Sequence, residues 1–145
     1  MKAALEEARL AISHGDVPIG ALVLDGNAVI ASRHNERELR NDPTAHAELL
    51  ALRDAANAAG TWRLDQMDLV VTLEPCPMCA GALISARIRH LFYGASDPKA
   101  GACGSLYNLC ADPRLNHQTA VTAAVLADRA GSLLKDFFAM RRRRV

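Results

Sequence analysis

A chain of 145 residues, half of them hydrophobic and 23% charged, is the right size for one domain around one core. Three Phe, two Tyr and one Trp leave that core to Ala, Leu, Val and Ile, and a net charge of +1 gives no sign of an acidic partner. Glu6, Glu7 and Arg9 interrupt the apolar N-terminal positions, which excludes a secretory signal, and no run of about eighteen apolar residues exists to span a membrane. An intracellular, reducing environment is therefore expected, with the cysteines as thiols or metal ligands.

In residues 2–14, Ala4, Leu5, Ala8, Ala11 and Ile12 recur at helical spacing, and Gly15 ends the helix. "IGALVLDGNAVIASRHN" reads as two strands joined at Asp25-Gly26, where glycine supplies the positive φ of a hairpin turn. "DPTAHAELLALRDAANAAG" is a second helix, capped by Asp42 or Thr44 and stopped at Gly60. "MDLVVTLEP" is a buried strand. "CPMCAGALISAR" is a helix with Pro77 in its first turn, where a missing N–H costs nothing. "IRHLFYGA" is another strand. Residues 96–116 form a long loop with one short helical turn, "QTAVTAAVL" is a weaker strand, and "ADRAGSLLKDFFAMRRRRV" is a terminal helix. Strands alternating with helices predict a three-layer α/β/α sandwich.

The chemistry concentrates in "LEPCPMCAG". Cys76 and Cys79 admit three readings: a redox pair, half of a zinc ribbon, or two ligands of a three-ligand site. The apolar-aromatic run-in of a redox pair is missing, and Cys103 and Cys110 are too widely spaced to complete a ribbon. On the first turn of a helix, residues i and i+3 share a face, and the positive helix end favours thiolates. Among His14, His34, His46, His90 and His117, His46 stands out as the third ligand. It opens a helix, and Glu48 follows two residues later. Three ligands leave a fourth position for water, the pattern of a catalytic zinc, and a carboxylate beside it can carry a proton to a leaving amine.

"HAE" followed by "PCPMC" matches the zinc nucleobase deaminases. Together with "VPIGALV", "HNERE", "FYGASDPKAGACGS", "LNH" and "LLKDFFAMRRR" in that order, the chain resembles the bacterial tRNA-specific adenosine deaminases over nearly its whole length. The resemblance implies a cytidine-deaminase-like fold with a five-stranded mixed sheet, and a cytoplasmic homodimer. It implies hydrolytic conversion of adenosine to inosine at the wobble position of a tRNA anticodon stem-loop, typically of an arginine tRNA, with release of ammonia. Carried onto this chain, His46, Cys76 and Cys79 hold one zinc ion per subunit and Glu48 shuttles protons. Asn35 contacts the nucleoside, and Val17, Pro18 and Ile19 wall the pocket. Asp97 and Lys99 touch flanking nucleotides. One of Phe137 and Phe138 packs inward while the other borders the RNA, and Arg141 to Arg144 offer charge to phosphates. Relative to the family pattern, both chain ends are short, which bears on the extent of tRNA contact.

Other readings are separable. A deaminase of free guanine or cytosine shares the zinc motif but not the Ser96–Ser105 loop or the basic terminal helix. A cytidine deaminase generally has cysteine where His46 stands. A non-catalytic tRNA-binding subunit typically lacks the glutamate that Glu48 supplies.

Overall fold

A computed structural model describes residues 1–143. Five strands form one mixed sheet in the order β2-β1-β3-β4-β5. β1 (Gly20–Asp25) and β2 (Ala28–His34) form the expected hairpin, and Gly26 supplies its φ of 57°. β1 is also antiparallel to β3 (Met67–Leu73), whereas β3, β4 (His90–Ala95) and β5 (Ala120–Thr122) run parallel. A parallel step needs a crossover. Between β3 and β4 the crossover is α4 (Pro77–Ser85); between β4 and β5 it is the long loop, whose one helical turn is Leu109–Ala111.

Strand alternation divides the core between the two faces. Ala21 and Val23 of β1, with Leu69 and Val71 of β3, pack against Ala47 and Ala51 of α3 (Ala47–Ala59) and Ala80 and Leu83 of α4. The intervening Leu22 and Val70 pack against Ala4 of α1 (Lys2–Leu10). On that same side Leu5 and Ala8 meet Ala130 and Leu133 of α5 (Ala127–Arg143). The result is the three-layer sandwich, with small alanines letting the helices lie close to the sheet.

Several details depart from expectation. The first helix turns 3₁₀ over Ala11–His14 before Gly15 closes it. A short α2 (Arg37–Arg40) follows β2, its Glu38 and Leu39 amides bonded to the buried Asp16 carboxylate at 2.7 and 3.0 Å. Neither Asp42 nor Thr44 caps α3; the N-cap is His46. Asp42 is used locally instead, accepting the Thr44 amide (2.8 Å) and hydroxyl (2.7 Å), a turn that competes with capping. Arg144 lies outside the described residues. Among those described, no helix is long and apolar enough to cross a membrane.

Candidate metal centre and active-site cleft

α3 and α4 begin alike, each on an extended residue: His46 at φ −74°, ψ 148° and Cys76 at φ −70°, ψ 172°. Neither residue makes a side-chain capping bond. Both are thus free to face one another, and Cys79, one turn into α4, joins them. His46 Nδ1 lies 3.7 Å from Cys76 Sγ and 3.5 Å from Cys79 Sγ, and all three donor atoms fall within 4.8 Å of one another. Nitrogen and sulfur ligands on a tetrahedral zinc are separated by about 3.6 Å. One imidazole and two thiolates, with the nitrogen at this spacing from both sulfurs, are a donor set that fits zinc.

The two thiols do not share the lowered pKa expected of a helix start. A hydrogen bond from the Cys79 thiol, with His46 beside it, brings Cys76 down to about 4 against the effect of burial. The same hydrogen bond, reinforced by burial, pushes Cys79 up. His46 is raised by its bond to Cys76, which outweighs burial. Metal binding needs both thiolates, so it must displace the proton that Cys79 retains.

Glu48 projects from the first turn of α3 and is only 4% exposed. Burial lifts its carboxyl to about 7, and the Cys76 charge adds to the effect against its own amide and His46. A carboxyl poised near neutrality beside a metal cradle can take a proton and return it.

Next to His46, a small cleft of about 90 Å³ is lined by Val17, Ile19, Asn35, Arg37 and Ala47. Asn35 is fixed at both ends, donating to the Val17 carbonyl (3.2 Å) and accepting the Arg37 amide (3.3 Å). Pro18 is not part of the wall; it is fully buried behind it. Arg37 was not anticipated, because the four-residue α2 that carries it is too short to leave a periodic signal.

A second recess, of about 330 Å³, is lined by Lys99, Lys135, Phe138 and Arg142. Phe138 is 42% exposed and Phe137 is buried, their rings edge to face. Arg141 is exposed but does not line this recess; Arg142 does. Lys135 was also missed. The Asp97 carboxylate is occupied with its own loop, accepting the amides of Lys99 (3.0 Å) and Ala100 (3.2 Å).

Glu74, two residues before Cys76, is 2% exposed. Its Oε1 accepts the amides of Cys103 (3.1 Å) and Ser105 (2.9 Å); its Oε2 accepts the amide of Asp97 (2.9 Å) and the Ser105 hydroxyl. Burial pushes this carboxyl up, but the four donors outweigh burial and hold it below the usual carboxylate range. Cys103 and Cys110 are buried with sulfurs 3.6 Å apart, outside the metal cradle. The other histidines have ordinary partners: His14 with Asp16, His34 with Glu7, His90 with Thr122 and His117 with the Ile88 carbonyl.

Residues 1–142 match the family model of MafB19-like deaminases. A tRNA-specific adenosine deaminase of Bacillus subtilis (strain 168) is 47% identical over 138 residues, spanning 95% of this chain and 86% of that one. A solved structure from work on A-to-I editing by tRNA A34 deaminases superposes with a TM-score of 0.89 at 44% identity, over 92% of this chain and 97% of the other. A guanine deaminase from Nitrosomonas europaea gives a TM-score of 0.83 at 28% identity, over 95% of this chain and 82% of that one.

Proposed function

The chain belongs to the tRNA-specific adenosine deaminase family, whose reaction is adenosine-to-inosine editing of tRNA, and we propose that it acts on the wobble adenosine of an arginine tRNA with one zinc ion per subunit. The observation that carries this reading is the convergence of His46, Cys76 and Cys79 beside the buried Glu48.

His46, Cys76 and Cys79 would hold the zinc ion. With an open position, the ion would supply acidified water, its pKa brought to about 7. Glu48 is placed to take up a proton and later deliver one to the departing amine, a double duty that suits a carboxyl near neutrality. Asn35, locked between Val17 and Arg37, orients the nucleoside, while Val17 and Ile19 offer apolar contact to the base. Overall, water adds at C6 of the flipped adenine and ammonia leaves. Lys99, Phe138 and Arg141 are assigned to the surrounding RNA, with Asp97 shaping the loop and Phe137 anchoring α5.

We assign residues 1–145 to a single deaminase domain working in the cytoplasm as a homodimer. An apolar groove on α3 and α4 around the exposed Trp62, with Leu49, Leu52, Ala56 and Ala82, supports the dimer. Light scattering that returned a monomer mass would remove it.

The functional test is incubation of zinc-loaded protein with an anticodon stem-loop carrying a wobble adenosine. Inosine and stoichiometric ammonia are expected. Turnover of free guanine or cytosine alone would replace this reading with that of a free-base deaminase.

A further inference from the structure

We infer that Glu74 is a positioning residue for the RNA strand, holding residues 97–105 so that Lys99 faces Lys135, Phe138 and Arg142 across one recess. This rests on the tRNA reading and adds to it a residue that touches neither metal nor base.

Over residues 96–107 the loop that follows β4 sinks only Ala102 and Cys103 into the apolar core; Ser96, Pro98 and Lys99 are exposed, as are Gly104, Ser105, Leu106 and Tyr107. Its shape is dictated from beneath. The Glu74 carboxylate accepts from donors at three separated points, Asp97, Cys103 and Ser105, closing the loop around itself. The backbone repeats the attachment: the Glu74 amide donates to the Ala95 carbonyl (2.8 Å), and the Ala102 amide to the Pro75 carbonyl (2.9 Å). Gly101 is required by this closure, since a Cβ there would lie 2.4 Å from the Glu74 carboxyl carbon. With the loop so held, Lys99 and the exposed face of α5 place three cations around one aromatic ring. That set matches a single-stranded nucleotide, with phosphate oxygens to the cations and a base face to Phe138. Asp136, the nearest acidic residue of α5, faces the opposite groove beside α1, so it does not offset this charge. Glu74 also leads through Pro75 into Cys76, so one strand end serves both the cradle and the nucleotide recess.

The test compares zinc-loaded wild-type protein with Glu74→Gln, Ser105→Ala, Lys99→Ala and the Glu74→Gln/Lys99→Ala double variant on the anticodon stem-loop, well below unfolding temperatures. A glutamine keeps the size but turns an NH₂ toward amide donors. Glu74→Gln is expected to raise KM roughly tenfold, the scale of losing charge-assisted hydrogen bonds, with kcat and zinc content held. Ser105→Ala, which removes one bond and keeps the fold, moves KM the same way by less. In the Lys99→Ala background the Glu74→Gln effect on KM largely disappears. Hydrogen exchange at the amides of Asp97, Cys103 and Ser105 accelerates in Glu74→Gln. An unchanged KM, a lost zinc ion with collapsed kcat, an undiminished effect without Lys99, or unchanged amide exchange would each overturn the assignment. If the wild-type protein failed to deaminate the stem-loop, the functional reading would fall. Amide exchange and directly measured stem-loop binding would then still judge Glu74.

Discussion

The start of α3 and the end of β3 each bury a glutamate, and the two have opposite fates. Glu48 is 4% exposed and Glu74 2%, so burial does not separate them. Their donors do. Three amides and a hydroxyl converge on Glu74 and keep it ionised, whereas Glu48 has its own amide and the metal-ligand thiols for company and rises to about 7. Two identical side chains are thus left in different states, one near neutrality beside the cradle and one ionised beneath a loop, and the division is written in backbone N–H groups.

The strongest test of that division is Glu48→Gln. It is expected to lower the deamination rate by about 10²- to 10⁴-fold, the range of general acid–base catalysis, with zinc content by elemental analysis unchanged. Stability should move in the reverse order. Glu74→Gln is expected to lower the unfolding free energy by about 3 kcal/mol in urea titrations, because buried amides lose a charged acceptor. Glu48→Gln should change it by less than about 1 kcal/mol, or raise it, since it removes an ill-compensated buried carboxyl. Equal stability losses in the two variants would break the comparison. A smaller effect sharpens it from the nucleotide side: Phe138→Ala should raise KM about tenfold by loss of a stacked base while kcat holds. The smallest contrast is between neighbours. Arg142→Ala, within the recess, should weaken stem-loop binding and lessen its salt dependence by about one phosphate contact, and Arg141→Ala should do so by less.

The elements were legible where local chemistry dictates them. The hairpin follows from Asp25-Gly26, the α4 start from Pro77, and the α3 stop from Gly60 in the left-handed region. The convergence of His46, Cys76 and Cys79 was legible too, because the two cysteines share a helical turn and His46 opens a helix with Glu48 two residues on. What escaped shares a different character. The spacing offers Asp42 or Thr44 as the α3 cap, but the Asp42 carboxylate binds Thr44 and closes its own turn, a contest that spacing does not decide. The splitting of Cys76 from Cys79 depends on the hydrogen bond between the two sulfurs. Glu74 lies between a strand and a proline with no periodicity to mark it, and its partners come 23 to 31 residues later. A faint signal existed in "GACGS", where two glycines in a loop imply that something else must approach the backbone there.

The position of β3 carries one more consequence. It lies in the middle of the sheet, paired with β1 on one side and β4 on the other, while β2 and the three-residue β5 form the margins. Margins can fray at small cost, but releasing the strand from which Glu74 and Cys76 hang means breaking two ladders together. For a metal held by this cradle, its loss and loss of fold would be a single event. Warming or mild urea that loosens the periphery should leave a zinc-loaded cradle loaded until the whole domain gives way.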